Sequence, residues 1–201
     1  MKIIGITGPI ASGKTTLSKK LSKLIQCPFW SADACVHQLM KEDALIRQKI
    51  RFLFPRAFTK EDELDKNLLR MYALNDIENI KKLEKILHPA VEKSCRSFLQ
   101  QARKNNVLGV ILEIPLLFEV GFEKEVDIII LIESSPSYQK KRILKRSTMT
   151  YEESKILEDR LIPFSEKRKK ADIVIKNGFF IYWSLFKILL GLLKSLISEE
   201  K

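Results

Sequence analysis

The sequence predicts an α/β fold, a three-layer sandwich in which a central parallel sheet carries helices on both faces. Three observations lead there. Short runs rich in β-branched residues, at 3–7, 107–114 and 127–132, have the near-continuous apolar character of strands buried on both sides. Long stretches of helical period separate these runs, so crossovers rather than hairpins join them. A glycine-rich segment follows the first run immediately and opens a helix. The chain has 201 residues, 45% of them apolar and 30% charged, enough for a continuous buried core and not the composition of a disordered chain.

In chain order, residues 3–7 form the first strand, a loop follows, and a helix runs from about 14 to 25. Residues 27–30 form a second strand ending in Ser31-Ala32-Asp33. The span 34–104 is mostly helical, with expected breaks near Pro55 and at His88-Pro89. Strands at 107–114 and 127–132 come next, and Pro136 opens a charged helical stretch to about 170. A last strand at 173–175 closes on Asn177-Gly178 before a carboxy-terminal helix. That helix, 179–197, is apolar over about one bilayer thickness. Ser184, Lys187, Gly191, Lys194, Ser195 and Ser198 nevertheless recur at helical spacing and trace one polar stripe. The pattern suits docking onto the sheet, so no membrane partner is expected. The opening apolar run is too short for a signal peptide. Cys27, Cys35 and Cys95 match neither a disulfide framework nor a zinc site, and a cytoplasmic location is expected. One domain over 1–201 is expected, its core at about 1–33, 105–137 and 171–201, with helical regions at 34–104 and 138–170.

The glycine segment, Gly8-Pro9-Ile10-Ala11-Ser12-Gly13-Lys14-Thr15, satisfies GxxxxGK[ST] between a predicted strand and a predicted helix, the context this motif requires. Gly8 and Gly13 allow a backbone path and a close approach that side chains would block. The amides of Ile10, Ala11, Ser12 and Gly13, with the helix amino terminus at Lys14, Thr15 and Thr16, turn partial positive charge toward an anion. Lys14 can reach terminal phosphates, and the Thr15 hydroxyl can ligate Mg²⁺. A nucleoside triphosphate is therefore expected on a P-loop kinase-like fold. The short length leaves little room for a motor's extra domains, and no NKxD guanine-reading sequence occurs, which favours a small-molecule kinase.

Asp33 falls at the end of the second strand, where open parallel sheets bind ligands. It can accept a hydroxyl proton during phosphoryl transfer, or it can cap the next helix. Glu113 ends the 107–114 strand and is a candidate for the metal's water shell; Glu119 reads as a solvated helix residue. Arg142 and Arg146, four apart on one helix face, can clamp a transferring phosphoryl group or lie on a solvated basic face. The net charge of +11 admits a nucleic-acid partner. Acidic residues are interspersed with the basic ones, however, and no RRM, KH or zinc-finger pattern occurs, so no nucleic acid is expected.

Taken together, these residues resemble the dephospho-CoA kinase family nearly end to end. GPIASGKTT is similar to its glycine loop, and Ser31-Ala32-Asp33 with Gln38 to its DAD…RQ segment. Leu64-Asp65-Lys66 with Leu69-Arg70, and Leu83-Glu84-Lys85-Ile86-Leu87-His88-Pro89, resemble its LDR…LR and LExIxHP blocks. Glu113-Ile114-Pro115-Leu116-Leu117-Phe118-Glu119 is similar to DVPLLFE, Gln139 with Arg142 and Arg146 to the QxxRxxxR lid helix, and Glu166-Lys167-Arg168 through Asn177 to EKR…AD…IxN. The chain departs at His37 and Lys66, each in place of an Arg, at Glu113 in place of an Asp, and at Leu161 near a usual Gln. The resemblance implies γ-phosphate transfer from ATP, with Mg²⁺, to the ribose 3′-hydroxyl of dephospho-CoA, the last step of coenzyme A formation. It implies Asp33 as base, an acceptor region within 34–104 and a lid over 138–170. Asn177 either contacts adenine or provides the turn before Gly178. A nucleoside or nucleotide monophosphate kinase is the alternative. A monomer is expected, with an oligomer left open.

Overall fold

The structure, a computed structural model, describes residues 1–146, 150–176, 185–186 and 188–189. The chain divides into two compact units, one formed by residues 1–31 with 102 onward, the other by 32–101.

The first unit is built on five parallel strands: β1 (Lys2–Thr7), β2 (Phe29–Ser31), β3 (Gly109–Glu113), β4 (Ile128–Glu133) and β5 (Ile173–Lys176). Their order across the sheet is β2-β3-β1-β4-β5. The chain runs outward from β1 to β2, returns to β3, then crosses β1 to reach β4 and β5. The central strands are buried along nearly their whole length, as their unbroken apolar sequences require. Helix α1 (Lys14–Ile25) lays Leu17 and Leu21 onto the sheet, where they meet Ile4, Ile6, Ile111, Ile130 and Ile132. Leu185 and Ile188 join the same cluster. The polar stripe expected at Ser184, Lys187, Gly191, Lys194, Ser195 and Ser198 lies outside the described residues. No helix among the described residues is long and apolar enough to cross a membrane.

Strand starts differ from the sequence expectation for local reasons. Cys27 does not begin β2, because its amide donates to the Ser22 carbonyl and completes the end of α1, beside a left-handed Gln26. Likewise, the Val107 amide is taken by Ala102, and Asn106 at φ 52 turns the chain before β3. Asp127 and Asp172, each just ahead of a strand, accept the amides of Ile3 and Ile129 at 2.6 and 2.7 Å. Both carboxylates thus satisfy donors at the amino-terminal rim of the sheet.

The stretch after β4 is three helices, α6 (Pro136–Arg146), α7 (Tyr151–Glu158) and α8 (Phe164–Lys170). Thr150 and Glu153 form a capping box that starts α7, and Pro163 precedes α8. The second unit contains α2 (Ala32–Glu42), α3 (Ala44–Leu53), α4 (Lys66–Leu74) and most of α5 (Ile77–Lys104). Its own core gathers Ile46, Ile50, Phe54, Ala57, Leu69 and Leu87. The break expected near Pro55 is present as a single 3₁₀ turn, Pro55–Ala57. The break expected at His88-Pro89 is absent, and Pro89 sits inside the continuous 28-residue α5. Leu83, Ile86, Leu87 and Ala90 pack into this core on both sides of the proline, which offsets the hydrogen bond it removes.

The site depends on how β1 ends. Gly8 has φ +148, and a Cβ there would lie 2.4 Å from the Ile132 carbonyl oxygen of β4. A side chain would force backbone apart in the centre of the sheet. Gly8→Ala is expected to lower unfolding stability by about 2–4 kcal/mol in urea denaturation; a change below ~0.5 kcal/mol would contradict this packing.

Candidate active site

At the carboxyl end of β1 the loop turns through left-handed Ala11 (φ 57) and Gly13 (φ 92), and Gly13 is the N-cap of α1. Lys14, only 7% exposed, folds back so that its Nζ donates to the carbonyls of Gly8 and Pro9, both at 2.8 Å. A buried ammonium is thereby held at the mouth of the loop. Ser12 is buried beside it, Ile10 is half-buried and Thr16 is exposed. The sheet register sets Glu113 beside Ile6 on one side and Ser31 on the other. Its carboxylate is 1% exposed and accepts from Thr15 Oγ1 at 2.6 Å. Thr7 Oγ1 donates to the Pro115 carbonyl at 2.9 Å and ties β1 to the turn after β3.

A hydroxyl and a carboxylate in contact are hard oxygen donors, the set Mg²⁺ prefers. No cluster of three or more His, Cys, Asp or Glu suited to a metal occurs among the described residues. Mg²⁺ is commonly held by one or two protein groups while phosphates and waters supply the rest. The residues present therefore suit the ion the sequence implied.

Helices α6 and α7 meet the loop through its backbone. Gln139 Nε2 donates to the Ile10 carbonyl at 3.3 Å, and Arg142 Nη1 to the Ala11 carbonyl at 3.1 Å. The Ile10 amide donates to Glu158 Oε1 at 2.8 Å. Burial pushes the Glu158 carboxyl up from its ordinary range, while the Ile10 amide, Lys14 and Lys167 pull it back in part. Arg146 ends α6, but its side chain, like all of Asn177, lies outside the described residues.

Two side chains that the sequence did not single out for the site take part. Glu119 is in a turn and not on a solvated helix. It pairs with Lys167 of α8 at 2.6 Å, the two being 15% and 7% exposed, and it also accepts from the Ile162 amide at 3.1 Å. The signal available was the pair Leu117-Phe118, whose burial carries the next residue inward. Glu158 offered no such signal.

In the second unit, Asp33 is the second residue of α2, exposed, and makes no hydrogen bond or ion pair among the described residues. Its charge complements the helix amino terminus, so a helix-stabilising role and a free carboxylate coexist. His37 Nε2 and Lys66 Nζ are hydrogen-bonded across α2 and α4.

The sequence profile of the family described as Dephospho-CoA kinase matches residues 2–180. A dephospho-CoA kinase of Nitrobacter winogradskyi is 36% identical over 181 residues, covering 89% of this chain and 87% of that protein. The chain belongs to the dephospho-CoA kinase family. Among solved structures, the dephospho-CoA kinase of Campylobacter jejuni superposes with a TM-score of 0.66 at 30% identity, covering 96% of this chain and 98% of that one. The Thermus thermophilus protein TT1252 superposes at 0.77, with 31% identity and 97% of each chain covered. Membership makes the chain an ATP-dependent kinase with a small-molecule acceptor. His37 and Lys66, two positions where the sequence departs from the family pattern, are in direct contact with each other.

The Glu119–Lys167 pair anchors α8 and the chain before it to the turn after β3. Lys167→Ala is expected to destabilise the fold by roughly 3 kcal/mol, because it strands a mostly buried carboxylate. A double-mutant cycle with Glu119→Ala should recover much of that loss, and strict additivity would show the pair to be uncoupled.

Proposed function

We propose that Asp33 is the base in this chain's transfer of the ATP γ-phosphate to the ribose 3′-hydroxyl of dephospho-CoA. The observation that carries the reading is the phosphate loop at the end of β1, with the Thr15–Glu113 oxygen pair at its base, in a chain of this family. In the proposed reaction the loop amides and Lys14 hold the polyphosphate. The Lys14 ammonium already sits at the loop and exchanges a carbonyl partner for a phosphate oxygen. Thr15 and Glu113 would hold Mg²⁺, Glu113 through bound water, and the ion when bound supplies charge neutralisation across the β- and γ-phosphates.

Asp33 accepts the 3′-hydroxyl proton as that oxygen attacks phosphorus in line and the bond to the ADP leaving group breaks. An exposed carboxylate with no competing partner among the described residues is available for this step. Arg142, whose guanidinium already touches the loop at Ala11, and Arg146 one turn on neutralise charge on the transferring group. The segment 138–170 serves as a lid that excludes water, and 34–104 provides acceptor recognition. Asn177 is assigned to the adenine side. Three free cysteines suit a reducing compartment, and we place the activity in the cytoplasm.

With ATP, Mg²⁺ and dephospho-CoA, the purified protein is expected to form coenzyme A and ADP in equal amounts, measured by a coupled ADP assay and product chromatography. A requirement for a nucleoside monophosphate acceptor instead would refute the acceptor assignment. In the same assay, Asp33→Asn should lower kcat by about 10²–10⁴-fold with ATP affinity retained. Undiminished turnover would reduce Asp33 to a helix-stabilising charge.

A further inference from the structure

Ile10 is held from both sides. Its carbonyl accepts from Gln139 of α6, and its amide donates to Glu158, the last residue of α7. A loop amide of this kind is a donor for a phosphate oxygen, and here a side-chain anion already takes it. The ammonium groups of Lys14 and Lys167 also act on that carboxylate, and Asp159 is the acidic neighbour that opposes it. Helix energetics do not explain the placement. A negative charge at a helix carboxyl terminus is disfavoured by the macrodipole, so Glu158 is drawn to this spot by the loop and the two lysines.

We propose that Glu158 is an internal stand-in for a phosphate oxygen of ATP, so that nucleotide binding displaces it from the Ile10 amide and frees the end of α7 from the loop. The inference rests on the reading of this loop as the ATP site. One N–H supports one strong hydrogen bond at a time, and a carboxylate kept beside the polyphosphate would be repelled by it. The lysines that hold the carboxylate are cations that a polyphosphate also seeks. ATP therefore binds at the expense of an existing charge-assisted contact, and its apparent affinity is reduced by the share of molecules in which that contact is closed. Glu158 in this way sets nucleotide affinity and couples α7 to occupancy of the loop, with no covalent step.

Calorimetric titration with ATP and Mg²⁺, without acceptor, tests this on the full chain and on Glu158→Ala and Glu158→Gln. Glu158→Ala should bind about tenfold more tightly, the scale of one charged hydrogen bond that no longer has to be broken. Glu158→Gln should fall between, since its amide oxygen still accepts from Ile10 without the charge. Hydrogen exchange supplies a second readout: ATP should lower protection across 151–158 in the parent chain and leave it unchanged in Glu158→Ala. Equal or weaker ATP affinity in both variants, or rising protection of α7 in the parent, overturns the proposal. Failure of the parent itself to bind ATP would instead remove the loop reading, and this inference with it.

Discussion

Just past the end of β1, Gly8 lies so near the Ile132 carbonyl that no side chain fits between them, and the rest of the site follows from that contact. Because nothing projects from Gly8, β1 ends flush against β4 and the chain can turn at once into the loop. Helix α1 then starts at Lys14, with Gly13 as its N-cap. The other neighbour of β1 is β3, whose register brings Glu113 level with the start of that turn. One backbone contact thus brings together the anion-binding amides, the Lys14 ammonium and the Thr15–Glu113 oxygens. The chemistry needs these groups in place before nucleotide arrives, since reorganising them during transfer would cost rate.

Around this cradle the charges are arranged with unusual economy. Lys14, Arg142 and Gln139 all donate to loop carbonyls, so side chains occupy the acceptors of residues 8–11, while the Ile10 amide is held by Glu158. Glu119 neutralises Lys167 and simultaneously holds the Ile162 amide, fixing the chain just ahead of α8. The strong positive balance of the sequence is therefore partly structural. Several of its cations are bound to backbone or to buried carboxylates, which is a different use from a solvated basic face open to any polyanion.

Much of this was legible in the sequence, and the reasons for success and failure are specific. The loop and α1 could be read because glycine, lysine and threonine at that spacing have few alternative uses between a strand and a helix. The strands at 107–114 and 127–132 announced themselves by unbroken apolar runs; the observed bounds, Gly109–Glu113 and Ile128–Glu133, differ by one or two residues at each end, the start of β3 because the Val107 amide completes a helix end. Pro89 misled because its local rule, that proline ends a helix, lost to packing on both sides of it. Glu119 misled because an acidic residue was given solvent, whereas the apolar residues before it bury and Lys167 meets it. Glu158 was invisible, since its role is defined by a tertiary contact 148 residues away in sequence. Asp33 could be placed just past a strand tip from its position alone, where it is the second residue of α2, but the proton transfer proposed for it concerns an acceptor that spacing cannot describe.

The central claim is that the β1 loop receives the nucleotide's terminal phosphates while Thr15 and Glu113 serve the metal. A crystal structure of the chain with an unreactive ATP analogue and Mg²⁺ tests it most directly. The account predicts β- and γ-phosphates among the amides of residues 10–15, Lys14 Nζ turned onto a phosphate oxygen, and Mg²⁺ at about 2.1 Å from Thr15 Oγ1. An analogue bound elsewhere, with Lys14 still on the Gly8 and Pro9 carbonyls, would contradict it.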